Sequence, residues 1–197
     1  MKLLKKVISN IEKIDYFLAD KTQKRLDNLT KPQGSLGRLE ELAKQVVEIT
    51  RKDKPELKNK VIFTFAADHG VTEEGISAYP KEVTAQMVYN FIRGGAGINV
   101  LAAHSGAKVV VADLGVAENI KYQISNTKNF KDKKIALGTR NFAKGAAMTK
   151  QEAVRSIESG IEIFLDEFSR KSGIPPEAGK KGIDIAGIGE MGIGNTA

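Results

Sequence analysis

Apolar residues in the first part of the chain recur at helical spacing. Ile8, Ile11, Ile14, Phe17 and Leu18 predict one helix over residues 7–29. The segment KPQGSLG (31–37) breaks it. Ser35 then predicts the cap of a second helix carrying Leu36, Leu39, Leu42, Val46 and Ile49. A polar link over 51–60 leads into a different pattern. Four short runs, 61–67, 109–112, 135–137 and 183–186, are rich in β-branched residues and predict buried strands. Helix-like stretches at 82–93, 98–104 and 150–171 separate most of them. The last opens on Thr149-Lys150-Gln151-Glu152, a capping box. Strands alternating with helices predict an α/β fold with a parallel, doubly wound sheet. The connection over 115–134 is short for such a crossover.

Each predicted strand ends in a polar turn. The turns are Asp68-His69-Gly70, Asp113-Leu114-Gly115, Gly138-Thr139-Arg140-Asn141 and Gly189-Glu190-Met191-Gly192. Glycine and aspartate end strands for purely local reasons, so one such turn means little. Four at the carboxyl edge of one parallel sheet predict a composite ligand site. The last turn closes the segment IAGIGEMGIGNTA (185–197), an apolar strand entering a glycine-rich turn. Glycines there let backbone N–H groups approach an anion, and Asn195, Thr196 and Ala197 read as the first residues of a helix that would add its dipole.

Charge and composition narrow the chemistry. The 197 residues suit one compact domain or part of a larger one. The net charge of +7 raises the question of nucleic acid. The lysines, however, are scattered among acids in runs such as KNFKDKK and AGKKGID, read as loops, and no nucleic-acid motif accompanies them. A solvated surface with a modest positive field toward phosphorylated small molecules accounts for the charge. Cysteine is absent and only His69 and His104 are histidines. That excludes disulfides and the usual zinc sites, and fits a cytoplasmic protein. No stretch has the uninterrupted apolar core of a signal peptide or a membrane span.

Individual residues carry alternatives. Asp68 and His69 read either as an acid–base pair or as turn formers, and Asp113 as turn former or ligand contact. Tyr79, Gln86 and Met87, around a helix start at Pro80, offer an apolar slot and a hydrogen bond for a flat heteroaromatic ligand. By spacing alone a methionine at position 87 is more often a core residue than a ligand contact. Glu190 reads as an electrostatic or orienting group beside developing positive charge, or as a carboxylate favoured by a helix dipole. Gly94-Gly95-Ala96-Gly97 follows a helix rather than a strand, so it reads as a break between two helices or as close backbone packing near the site, and not as a dinucleotide fingerprint.

The segments LDNLTKPQGSLGRLEELA, FAADHGVTEEGISAYPKEVTAQMVYNFIRGGAGINVLA, GTRNFAKGAAMT and GIGEMGIGNTA together resemble the nicotinate-nucleotide–dimethylbenzimidazole phosphoribosyltransferase family. The resemblance runs from about Leu26 onward. It implies phosphoribosyl transfer from nicotinate mononucleotide to 5,6-dimethylbenzimidazole, giving α-ribazole 5′-phosphate and nicotinate with inversion at the anomeric carbon. It further implies a Rossmann-like, three-layer parallel sheet, usually a homodimer, with residues 1–58 belonging to a smaller helical domain and 59–197 forming the α/β domain. Tyr79, Gln86 and Met87 would border the benzimidazole, with Met191 against the aromatic base and Glu190 facing the reacting centre. Gly192, Ile193, Gly194, Asn195 and Thr196 would cradle the phosphate. Asp68 is a further catalytic candidate. No metal or redox cofactor is implied. Members of the family continue well past GEMGIGNT, and the glutamate taken as their general base lies in that continuation. The chain therefore reads as an N-terminal portion, expected to bind weakly, turn over little and leave an apolar sheet edge uncovered.

Overall fold

The computed structural model describes residues 1–14, 16–120, 128–172 and 182–197. It holds helices α1 (Lys2–Ser9), α2 (Ala19–Asp27), α3 (Arg38–Thr50), α4 (Val83–Arg93), α5 (Gly97–Ser105) and α6 (Lys150–Ser172). The strands are β1 (Lys60–Ala67), β2 (Ala107–Gly115), β3 (Phe130–Asp132) and β4 (Ile185–Met191). Two compact units emerge, Lys6–Leu57 and the combination of Met1–Lys5 with Lys58–Ala197.

The predicted continuous helix over 7–29 is instead interrupted. α1 stops at Ser9, where the Asn10 and Ile11 N–H groups make short turns to Val7 and Ile8 carbonyls (3.1 and 3.3 Å), and the Ser9 hydroxyl donates to the Lys6 carbonyl at 2.9 Å. Ser and Asn side chains compete with helical bonds in this way. Helix resumes at α2, which packs on α3. Ser35 does not cap α3. Gly37 precedes the helix at a φ of +50°, and the Glu40 carboxylate in the first turn takes the Leu36 N–H (3.1 Å) and the Lys31 ammonium (2.7 Å). Glu40 thereby closes the KPQGSLG loop onto its own helix. Lys31 first, then the Leu36 N–H, hold its carboxyl below the usual range.

In the larger unit the sheet order is β3-β2-β1-β4, all parallel. Alternation along β1 sets two faces. Ala66 lies with Val111, Val88, Phe91 and Met191 on the side of α4, while Val61 and Phe63 lie with Val110, Ala112 and Ile163 of α6 on the other. This is the predicted three-layer, Rossmann-like α/β arrangement. Each buried Val or Phe contributes roughly 1.5–3 kcal/mol through apolar burial. The Thr149–Glu152 capping box forms as expected, with Glu152 N–H to Thr149 Oγ1 at 3.2 Å and Thr149 N–H to Glu152 Oε2 at 2.6 Å.

Two strands fall elsewhere than predicted. The third is Phe130–Asp132, not 135–137. It lies inside the lysine run read as a solvated loop, because Lys131 turns inward to Glu167 at 2.9 Å and its charge hides a buried position. Residues 135–137 are only tethered to β2, through the Ile135 N–H to the Leu114 carbonyl at 2.8 Å. The fourth strand begins later and runs longer than 183–186, through Gly187 and Gly189 to Met191. Gly187 lies close against β1, where a Cβ would sit 3.4 Å from Ile62 Cγ1. On the other side of β4 from β1 no strand pairs among the described residues, and Ile188 is 81% exposed. Part of the 115–134 connection and part of the AGKKGID run lie outside the described residues.

Candidate active site

The turns at the carboxyl ends of the strands meet. The Asp68 N–H donates to the Gly115 carbonyl (3.0 Å), the Thr139 N–H to the Asp68 carbonyl (2.9 Å), and the Gly70 N–H to the Thr139 carbonyl (3.1 Å). Only glycine fits at 138, where φ is +96° and a Cβ would sit 3.1 Å from Asp68 Cβ. Asp68 is buried. Its Oδ2 accepts the Ala117 N–H at 2.7 Å, while Oδ1 is buried without a hydrogen bond. Its carboxylate thus accepts from the turn after β2 rather than from its own turn after β1, and keeps one oxygen unengaged. Asp113 is fully committed: Oδ1 accepts the Gly115 and Val116 N–H groups (3.0 and 2.8 Å) and Oδ2 pairs with Lys134 at 3.1 Å. Of its two readings the turn former is the one built.

The glycine segment differs from its sequence reading at one point. Glu190 stands on β4 rather than inside the turn, which begins at Gly192. Being adjacent on a strand, Glu190 and Met191 face opposite sides of the sheet. Met191 packs with Met87 against the α4-side core, whereas Glu190 is exposed and accepts from the Asn195 side chain. Gln86 is exposed one residue before Met87, and Tyr79 is 67% exposed ahead of α4. The structure therefore places Met87 and Met191 against one core cluster and brings Glu190 to Asn195, while Tyr79 and Gln86 stand at the surface. Gly192 is buried against β1 and its turn. A Cβ there would overlap the Ala67 carbonyl and come within 2.6 Å of His69 Nε2, so the His69 ring lies directly beside the loop.

Two features escaped sequence reading. Thr84, on α4, is completely buried and its Oγ1 accepts the Ile193 N–H at 3.1 Å. A threonine on the apolar face of an amphipathic helix was the available signal. The second is a polar cluster joining the turn after β3 to the short 3-10 helix Gly70–Glu74. Asn141 donates to Glu74 Oε1 (2.6 Å), and Lys144 pairs with Glu73 (3.1 Å) and Glu74 (3.2 Å). Lys144 and then Asn141 hold the Glu73 carboxyl below its usual range; for Glu74 Asn141 leads and Lys144 follows. Glu73 and Glu74 in turn raise the Lys144 ammonium. On the α6 side of this edge a cavity of about 390 Å³ is lined by His69, Thr139, Arg140, Met148, Glu152 and Ser156. Its cation is neutralised, since Arg140 Nη2 pairs with Glu152 at 3.1 Å. A larger cavity, about 700 Å³, includes Arg93 and Lys108 at the amino end of β2, away from these turns.

A family model described as phosphoribosyltransferase matches residues 11–197. The chain belongs to this family. Among curated relatives, the nicotinate-nucleotide–dimethylbenzimidazole phosphoribosyltransferases of Geobacter sulfurreducens and Geobacter metallireducens are each 53% identical over 196 residues, covering 100% of this chain and 51% of theirs. The crystal structure of CobT from Thermus thermophilus superposes with a TM-score of 0.79 at 39% identity, over 91% of this chain and 49% of that one. A structure of the nicotinate-nucleotide-dimethylbenzimidazole phosphoribosyltransferase from the same organism gives a TM-score of 0.81 over 93% and 51%. The chain spans about half the length of the curated relatives it matches. Among its described residues no helix is long and apolar enough to cross a membrane.

Proposed function

We propose that this chain carries out phosphoribosyl transfer from nicotinate mononucleotide to 5,6-dimethylbenzimidazole, at a low rate on its own, in cobalamin lower-ligand synthesis. The observation that carries this reading is the β4–loop segment. A glycine turn starting at Gly192 is held at the carboxyl edge of a parallel sheet, where such folds bind phosphorylated ligands. The names of the half-matched relatives supply the substrates. In the reaction a benzimidazole nitrogen attacks the anomeric carbon from the face opposite nicotinate. The C–N bond to nicotinate breaks, its electron pair leaves with nicotinate, and the attacking ring loses its N–H proton to a base. Gly192, Ile193, Gly194, Asn195 and Thr196 hold the 5′-phosphate. Glu190 stabilises positive charge developing on the ribose. Met87 and Met191 give the aromatic ring an apolar wall, with Tyr79 and Gln86 at its margin. Asp68 contributes its unengaged carboxylate oxygen to the edge. No carboxylate of the chain is assigned the proton-accepting role. The working protein is a cytoplasmic homodimer in this reading, taken from the family resemblance.

The half-length match supports a second reading, in which the chain binds nucleotide and needs a complementary C-terminal part for turnover. One assay separates the two. The purified chain is incubated with nicotinate mononucleotide and dimethylbenzimidazole, alone and with the separately produced C-terminal half of the Geobacter sulfurreducens relative, and α-ribazole phosphate is measured by mass. Product from the chain alone supports complete catalysis within it. Product only with the added half supports the binding role. No product in either mixture, with no binding of nicotinate mononucleotide, overturns both.

A further inference from the structure

Thr84 stands out as a buried hydroxyl in the first turn of α4, a helix whose other inward residues are apolar. A β-branched polar residue gains nothing there from propensity, so its contact accounts for it. That contact is the Ile193 N–H, 109 residues away in sequence, at 3.1 Å. The rest of the loop is equally fixed. Gly192 has no room for a side chain, and Gly194, at a φ of +89°, lies where a Cβ would meet Thr72 Cγ2 at 3.1 Å and Ile76 Cδ1 at 3.2 Å. The Asn195 N–H donates to the Gly192 carbonyl (3.1 Å) and the Ala197 N–H to the Gly194 carbonyl (3.4 Å).

A pattern follows from these bonds. The N–H groups of Ile193, Asn195 and Ala197 are all consumed in shaping the turn, whereas those of Gly194 and Thr196 make no hydrogen bond among the described residues. Alternate amides are thus spent on structure, and the two between them remain as donors for an anion. We infer that Thr84 is the positioning residue of the phosphate loop. By accepting the Ile193 N–H it sets the rotation of the turn that leaves the Gly194 and Thr196 amides to the 5′-phosphate. The inference rests on the phosphate-loop reading proposed above.

Thr84→Val keeps the branched shape and removes the acceptor, Thr84→Ala removes it without added bulk, and Thr84→Ser keeps the hydroxyl. The isotope-labelled full chain is titrated by NMR with nicotinate mononucleotide and with nicotinate riboside, which lacks the phosphate. The wild-type chain prefers the mononucleotide. Thr84→Val or, should that variant not fold, Thr84→Ala loses that preference roughly tenfold, the size of one hydrogen bond, with riboside affinity unchanged and faster exchange of the Ile193 amide. Thr84→Ser restores the preference. A mere packing role would weaken both ligands alike. An undiminished preference in the folded variants overturns the assignment of Thr84 and leaves the phosphate loop standing. A wild-type chain that does not favour the phosphorylated ligand overturns the loop reading and this inference with it.

Discussion

The side-chain amide of Asn141 donates to Glu74 Oε1 at 2.6 Å, tying the turn after β3 to the 3-10 helix that follows β1. Its own Oδ1 accepts the Ala143 N–H at 3.0 Å, so a residue only 8% exposed is engaged at both ends. Asn141→Asp keeps the shape and the acceptor but sets a third carboxylate against Glu73 and Glu74. We expect it to lower the urea midpoint more than Asn141→Ala, whose loss of about 1–2 kcal/mol reflects the missing bonds alone. Equal midpoints for the two variants would mean that charge at this position does not matter.

The same cluster sets a pH window. Glu73 and Glu74 titrate below the ordinary carboxylate value when folded, so the stability they add is present above that ordinary value and is lost as pH falls through their lowered ones. Lys144 is raised, so its share is complete below its ordinary value of 10.5 and fades as pH climbs through the folded one. Lys144→Met therefore flattens both limbs of the stability–pH profile, and thermal melts from about pH 3 to about pH 11 measure it. Because these groups are solvent-exposed in part, added salt shrinks the difference between wild type and variant.

Which parts were legible in the sequence follows from what each residue had to do locally. The capping box at Thr149 and Glu152, the helix break at Gly94 and the strand at 61–67 each follow from local rules, and each formed. β3 does not show in the sequence because Lys131 is drawn inward by an ion pair and Phe130 is the strand's one apolar residue, so FKD carries no hydrophobic alternation. The end of β4 reads as a turn because Gly187 and Gly189 suit loops as well as they suit close packing against β1. The turns at the carboxyl edge were visible one by one. Their mutual bonds, from Asp68 to Gly115 and from Thr139 to Asp68, are long-range and leave no periodic trace. Thr84 was hidden for the same reason, its partner being 109 residues further on.

Glu167 illustrates a charge that packing cannot do without. It is 1% exposed and sits between Lys108 (2.5 Å) and Lys131 (2.9 Å), joining α6 to β2 and β3. Burial pushes its carboxyl up, yet the two ammonium groups outweigh that and hold it below the usual range. Glu167→Gln leaves both lysines without this counter-charge, and we expect a loss of about 3 kcal/mol in urea unfolding. The double change of Glu167 and Lys131 to Met should recover part of it, since replacing a buried pair by apolar side chains costs less than breaking it. A double variant no more stable than Glu167→Gln would count against the pair being the source of the loss.

Gly192 and Gly145 form a matched test of how closely the glycine loop is held. A Cβ at 192 would overlap the Ala67 carbonyl and reach the His69 ring, while at 145 it would meet nothing within 4 Å and the backbone is not left-handed. Gly145→Ala should change stability by less than about 0.5 kcal/mol. Gly192→Ala forces either β1 or the loop to move, at a cost of about 1–3 kcal/mol. If the loop yields, the Ile193 N–H leaves Thr84 and binding of nicotinate mononucleotide falls with stability. If β1 yields instead, stability falls while binding holds, because the loop keeps its shape. Measuring both quantities on the same variant therefore tells which side of the contact is the rigid one. β1 is paired on both sides, by β2 and β4, whereas the loop is tied, among the described residues, by the Ile193 N–H to Thr84, the Asn195 side chain to Glu190 and its own turns, so we expect the loop to yield and binding to fall.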